Sequence, residues 1–304
     1  MKSYRSDLQV LQQRPPSLSV VLVILFSVLM FGCATAPAVE EAPDAVAAVP
    51  ADPETQIAPE PEPSFRTVYL LSRERSLLGD GRLDSYRELS YEPTGTGLIE
   101  DLRFTATGRL MQARRYELRD GRPVEERLYD QENQLRAIRR FDYDAHGNLS
   151  MEEQLDAAEE FQTRSTYGYD AEGRRTSWQV FSSFAGLMGS TAYSYENDRL
   201  SRIESLSPSN DLEEYFVIEY DNEGRPTRRT QYDARDRRLG YIQYEYDGDL
   251  LMSETVRRAT GAVQRSVRYE YDQAGNIVGE THFDSSGNPR ERIEREFIIR
   301  EVQE

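Results

Sequence analysis

Cys33 is the only cysteine of this 304-residue chain. It has no second thiol to form a disulfide with, and a lone cysteine inside a domain behaves as a small, inert hydrophobe. Cys33 stands elsewhere, closing Leu29-Met30-Phe31-Gly32-Cys33 directly behind an apolar run from Val20 to Phe31. Carboxylates are abundant, 54 Asp and Glu in all, so an acid pair for glycan hydrolysis can be drawn almost anywhere and none stands out. The two histidines, His146 and His282, are separated by several sequence repeats and read as ordinary surface residues rather than a dyad or a metal pair. Asp-and-Gly turns recur, but they lack the alternating ligands and the distal Glu of a calcium loop. The expectation is a chain with no catalytic residues, no metal and no cofactor.

The segment ahead of Cys33 sets Lys2, Arg5 and Arg14 before the apolar run, the layout of an export signal. That run is about a dozen residues long, short of the roughly 20 that a membrane-spanning helix requires. Leu29 to Cys33 resembles the lipobox of bacterial lipoproteins, matching it at Gly32 and Cys33 and departing from it at Met30 and Phe31. The resemblance implies removal of residues 1–32, lipidation of Cys33 on sulfur, and a mature protein anchored to a membrane by its lipids. Two or three acyl chains hold firmly, because each buried methylene contributes about 0.8 kcal/mol. Residue 34 is Ala and not Asp, which in that family favours the outer membrane over the inner.

Residues 33–65 follow as a linker of Ala, Pro, Glu and Asp, with prolines at 37, 43, 50, 53, 59, 61 and 63. Such a stretch has little to bury and favours extended polyproline II, so about thirty residues reach up to roughly 90 Å. The precursor carries −17; loss of Lys2, Arg5, Arg14 and Asp7 with the signal makes the mature chain −19. An acidic chain of this kind is a poor partner for nucleic acid, whose binding runs on clustered cations. Lys2 is the only lysine, so every cation of the mature protein is arginine.

From residue 66 to 304 the sequence repeats. An aromatic or apolar residue, a spacer, then Tyr and an acid recur as Phe141-Asp-Tyr143-Asp144, Tyr167-Gly-Tyr169-Asp170, Tyr193-Ser-Tyr195-Glu196, Ile218-Glu-Tyr220-Asp221, Tyr244-Glu-Tyr246-Asp247 and Tyr269-Glu-Tyr271-Asp272. The second tyrosines are 25 or 26 residues apart, and half-copies at Tyr129-Asp130, Tyr232-Asp233 and Phe283-Asp284 reduce the unit to about 13. Each unit reads as one strand of period 2 followed by one turn. In Asp144-Ala-His-Gly147, Asp170-Ala-Glu-Gly173 and Asp221-Asn-Glu-Gly224 the Asp can accept nearby backbone N–H groups, and the Gly can take the positive φ of a type I turn with a bulge.

The signature Tyr-Asp-x-x-Gly-Arg or Gly-Asn, as in Tyr169 to Arg174, Tyr220 to Arg225 and Tyr271 to Asn276, resembles the YD repeats of bacterial Rhs proteins and teneurins. That resemblance implies an all-β array of antiparallel hairpins. The expected fold is a curled sheet or solenoid of roughly 16 to 18 short strands, with tyrosines facing inward and Arg and Glu outward. A membrane barrel is disfavoured, since the strands look shorter than the 9 to 11 residues that spanning takes and apolar residues are few. The expected function is a non-enzymatic scaffold or binding module in the cell envelope, anchored to a membrane and engaging an envelope protein or polysaccharide. An envelope glycan hydrolase using Asp/Glu pairs on the sheet is the alternative.

Overall fold

The computed structural model describes residues 64–303; the signal segment, Cys33 and the linker to residue 63 lie outside the described residues. Eighteen strands make up the described chain. The first six are β1 (Phe65–Leu78), β2 (Leu83–Tyr91), β3 (Leu98–Thr105), β4 (Leu110–Arg119), β5 (Arg122–Asp130) and β6 (Leu135–Tyr143). Next come β7 (Leu149–Asp156), β8 (Phe161–Tyr169), β9 (Arg175–Ser182), β10 (Gly186–Glu196), β11 (Arg199–Leu206) and β12 (Leu212–Tyr220). The last are β13 (Pro226–Asp233), β14 (Arg238–Asp247), β15 (Leu250–Arg258), β16 (Val263–Tyr271), β17 (Ile277–Asp284) and β18 (Pro289–Gln303).

Every strand pairs antiparallel with its neighbours in sequence, and β1 pairs with β18 from Phe65↔Gln303 to Leu78↔Glu291. The sheet is therefore a closed up-and-down barrel, which corrects the expected curled sheet or solenoid. Closure removes both free edges, the cost an open sheet of this width would carry. The strand length also departs from expectation: most strands run 8 to 11 residues, and β1 and β18 reach 14 and 15.

The turns follow the local chemistry read from the sequence. In the β8–β9 hairpin the Gly173 N–H donates to the Asp170 carbonyl, the Asp170 N–H to the Arg174 carbonyl, and Gly173 has φ +77. The Asp170 side chain accepts from the backbone N–H and the Nε of Arg174, both at 2.8 Å. Asp144 with Asn148, Asp221 with Arg225 and Asp272 with Asn276 repeat the arrangement. The Arg or Asn that follows Gly in the repeat is thus the residue that returns a side-chain bond to the Asp.

The tyrosine before the Asp closes the strand end. Its hydroxyl donates to a backbone carbonyl 20 residues earlier: Tyr143 to Pro123, Tyr169 to Leu149, Tyr195 to Arg175, Tyr220 to Leu200 and Tyr271 to Leu251, at 2.7 to 2.8 Å. Burial pushes the hydroxyls of Tyr143, Tyr195 and Tyr220 up to about 12. The even-to-odd hairpins carry these Tyr-Asp turns at one rim of the barrel. β1 starts and β18 ends at that same rim.

Candidate functional site

The two faces of the wall are told apart by burial. Residues directly opposite across a ladder share a face, so Tyr193, Ile203 and Phe216 share one, as do Tyr269, Glu254 and Glu280. On this face mid-strand side chains are buried, Ile203 to 3%, Glu254 to 4% and Glu126 to 5% exposure. On the other, the side chains of Arg73, Arg75, Arg115, Arg140 and Arg164 keep 44 to 47% of their surface. Side chains converge on the concave side of a closed wall and splay on the convex side, so the tyrosine face is the inner one. Each strand packs on its sheet neighbours with no second layer over either face, and barrels of this strand number enclose an aqueous space.

The tyrosines of the strong repeats face inward as expected while those of the half-copies face outward, and the expectation that Arg and Glu face outward is only half met. The inner wall carries a belt of alternating charge, one residue per strand. Arg295 of β18 reaches Glu280 of β17 at 2.9 Å and Glu74 of β1 at 2.8 Å. Arg87 of β2 lies 3.8 Å from Glu74 and from Asp101 of β3, and Arg114 of β4 lies 3.6 Å from Asp101 and 3.4 Å from Glu126 of β5. Arg139 of β6 then joins Glu126 at 3.5 Å to Glu152 of β7 at 3.2 Å. The Tyr167 hydroxyl of β8 donates to Glu152 at 3.3 Å, and Arg175 of β9 lies 4.7 Å from the Tyr167 ring centroid.

Over the remaining sector the inner wall turns apolar and aromatic. Tyr193, Leu200, Ile203, Phe216 and Ile218 form one buried cluster, with Trp178, Tyr195 and Tyr220 packed on it. Arg229 lies over the Phe216 ring at 5.0 Å, and Tyr269 donates to Glu254 at 3.1 Å. The interior is therefore two-sided, charged along β17 to β7 and aromatic along β8 to β12.

Electrostatics differ along the belt. Burial opposes ionisation of Glu280, yet the hydrogen bond with His282 and the charge of Arg295 hold its carboxyl at about 2. Burial raises the Glu152 carboxyl above its ordinary value, and Arg139 only partly offsets this. Glu280 is thus a firm anion; Glu152 is the belt's weak link.

Sequence reasoning missed this belt, although a signal for it is present. Like-charged doublets alternate in sign from strand to strand: Arg114-Arg115, Glu125-Glu126, Arg139-Arg140, Glu152-Glu153. One member of each doublet enters the belt; the other joins an outer ladder, as Arg140 with Glu125 at 3.2 Å and Arg164 with Glu153 at 2.5 Å. The half-copy aromatics face outward too, Tyr86 stacked on Phe104 at 4.9 Å and Tyr215 on Tyr232 at 5.0 Å. Arginines cover several of them, as Arg115 does Tyr129 at 4.8 Å.

Of the residues weighed from the sequence, His146 sits in a turn, its backbone N–H donating to Asp144, and His282 lies on β17 beside Glu280. The structure brings these two to different strands and to no shared site. Among the described residues no group of three or more His, Cys, Asp or Glu is placed to hold a metal ion. The turn Asp side chains are engaged by their own loops, and the belt carboxylates by arginines.

A family model described as "Uncharacterised protein" matches residues 169–296. No curated protein matches the chain. Among solved structures, the Tc holotoxin pore of Photorhabdus luminescens is 16% identical with a TM-score of 0.25, over 73% of this chain and 15% of that one. The chain thus spans about a seventh of that toxin chain's length. A porin-like protein from Bacteroides uniformis is 11% identical with a TM-score of 0.40, over 75% of this chain and 96% of that one. A second, from Bacteroides vulgatus, is 11% identical with a TM-score of 0.30, over 76% and 99%. At TM-scores below 0.5 none of these likenesses bears on function.

Proposed function

We propose that this chain is a lipid-anchored protein of the bacterial cell envelope whose barrel is a non-enzymatic binding module held off the membrane by an acidic tether. The observation that carries the reading is the outer wall. Arg73 with Glu88, Arg115 with Glu100, Arg140 with Glu125 and Arg164 with Glu153 face outward along the strands from β1 to β8. One Arg facing lipid at the bilayer midplane costs about 2–4 kcal/mol, so a wall laced with them belongs in water. A porin-sized ring that does not sit in lipid needs another attachment, and Cys33 behind its export signal supplies one. The tether leads into β1, which starts at the Tyr-Asp rim.

Inside, the wall offers paired charges and ring faces, surfaces that bind rather than react, since each belt carboxylate from Glu280 to Glu152 is engaged by arginine. Labelling with radioactive palmitate, with mass spectrometry of the mature N-terminus, tests the anchor. Label on the parent and none on Cys33→Ser, which leaves the membrane fraction, is the expected result. A Cys33→Ser protein that still carries label and sediments with membranes overturns the reading.

A further inference from the structure

We propose that the tip of the β9–β10 hairpin, Phe184 with Leu187 and Met188, inserts into a lipid bilayer surface as a second membrane contact beside the Cys33 anchor. The inference deepens the envelope reading and rests on it. Its basis is a gap in the charge pattern. From Thr176 to Tyr195 twenty residues pass without Asp, Glu, Lys or Arg, and elsewhere between residues 64 and 303 no such run exceeds seven. Arg175 and Glu196, which bound it, open β9 and close β10 at the Tyr-Asp rim, so the uncharged run is the whole hairpin. Its turn differs from the neighbouring turns as well. Nine hairpin turns stand at the rim opposite the Tyr-Asp turns, and among the described residues each of the other eight has a charged residue within it or directly beside it. Here the loop is Ser183-Phe184-Ala185, followed by Gly186-Leu187-Met188. Phe184 is 88% exposed and Met188 37%. The loop is held in place: the Ser183 N–H donates to the Gln162 carbonyl and the Ala185 N–H to the Ser182 hydroxyl, both at 2.9 Å, and Gly186 takes φ +68.

Lipid fits this tip better than a second copy of the chain does. A stable dimer takes about 800 Å² from each partner, whereas one fully buried aromatic side chain supplies about 150–250 Å². A fluid interface accepts single aromatic side chains and takes apolar groups to a depth of about 5–10 Å. A charge carried into hydrocarbon is costly, and this hairpin carries none; Arg164 of β8, opposite Phe181, marks where insertion stops. The exposed apolar group at the other rim, Phe65, Tyr69 and Ile299, stands among Arg66, Arg300 and Glu301 and lacks that freedom. The tether permits the contact. Strands of this length make a barrel about 30 Å tall, and the linker's reach of roughly 90 Å spans it.

Trp178 is the sole tryptophan and faces the barrel interior, so an indole added at a turn reports its own surroundings. The full protein is placed in phosphatidylcholine vesicles with and without bromine on the acyl chains, as the parent, as Phe184→Trp and as Ala145→Trp. Ala145 lies in the β6–β7 turn at the Tyr-Asp rim; like Phe184 it is exposed, so neither substitution disturbs packing. After subtraction of the parent, bromine should quench Phe184→Trp at least about threefold more than Ala145→Trp. Adding Ala185→Asp beside the probe should bring the quenching down to the level of Ala145→Trp. Equal quenching at the two turns, none at either, or quenching that survives Ala185→Asp overturns the contact. Emission of Phe184→Trp that shifts with protein concentration and ignores bromine assigns the tip to a second copy and overturns it too. Palmitate labelling reads the anchor alone, so a labelled protein whose Phe184→Trp emission ignores bromine refutes this inference without touching the attachment.

Discussion

Arg139→Met tests whether the inner belt is a chain of mutually dependent charges. The Arg139 side chain is 13% exposed and lies between Glu126 and Glu152, themselves 6% and 7% exposed. Removing one partner of a buried pair costs about 3–5 kcal/mol, because the remaining charge is stranded. The two neighbours are not equally stranded. Glu126 keeps Arg114 at 3.4 Å, whereas among the described residues Glu152 keeps the Tyr167 hydroxyl at 3.3 Å and no second arginine. Most of the loss, about 3 kcal/mol, therefore belongs to Glu152. Adding Glu152→Gln should restore stability to within about 1 kcal/mol of the parent, and adding Glu126→Gln should not. The Glu152 carboxyl is already raised by burial and rises further once Arg139 is gone. The folded state then binds that proton more tightly than the unfolded chain, so the deficit of Arg139→Met shrinks as pH falls from neutrality. Urea unfolding followed by circular dichroism, from pH 7 to pH 5, measures both effects. A loss below about 1 kcal/mol, or equal rescue by the two glutamines, refutes the belt as a coupled chain.

Other outcomes follow from the repeat itself. Tyr220→Phe removes a hydroxyl that donates to the Leu200 carbonyl at 2.7 Å, and urea unfolding should register a loss of about 1–2 kcal/mol. Gly173 has φ +77 with nothing near an added Cβ, so Gly173→Ala should cost about 1–2 kcal/mol from backbone strain alone. Gly173→Asn should cost far less in the same assay, since Asn133 and Asn210 hold φ 57 and φ 67 at the corresponding place in other turns. At Asp221, burial opposes ionisation, but the backbone N–H and guanidinium of Arg225 win and hold the carboxyl below its ordinary range. Its contribution is present above the unfolded value of about 3.9 and is lost as pH falls below it. The difference in urea midpoint between parent and Asp221→Asn should accordingly shrink below about pH 4.

The turns were legible because everything that makes them lies within five residues: Asp, its two backbone donors, Gly at positive φ, and the returning Arg or Asn. The strands were legible from their period of 2 and the spacing of tyrosines. Closure was not, because it rests on β1 meeting β18 at a sequence separation above 200 residues, and no local pattern in Phe65–Leu78 or Pro289–Gln303 announces a partner. The inner belt was hidden for a related reason. Arg87, Arg114, Arg139 and Arg295 each read as one more cation until the ladders bring each between two acids from neighbouring strands.

The like-charged doublets explain how a barrel of near-identical units holds its register. A slip of one residue exchanges the two faces of a strand and is opposed by every inward tyrosine. A slip of two leaves inside and outside intact, and the apolar pattern of β6, with Ala137, Arg139, Phe141 and Tyr143 facing in, resists it only weakly. The belt is what forbids it. Moving β6 by two residues against β5 sets Glu126 opposite Ala137 or Phe141 in place of Arg139, stranding a carboxylate that is 5% exposed. The same slip separates Arg140 from Glu125 on the outer wall. Because sign alternates from strand to strand, each hairpin is checked against both neighbours, and the check runs from β17 through the β1–β18 seam to β7. The aromatic sector from β8 to β12 has no such check, and there the staple from each Tyr-Asp tyrosine to the carbonyl 20 residues back fixes the alignment. Tyrosine staples run through both sectors, Tyr143 to Pro123 among them, and charge adds a second check along β17 to β7.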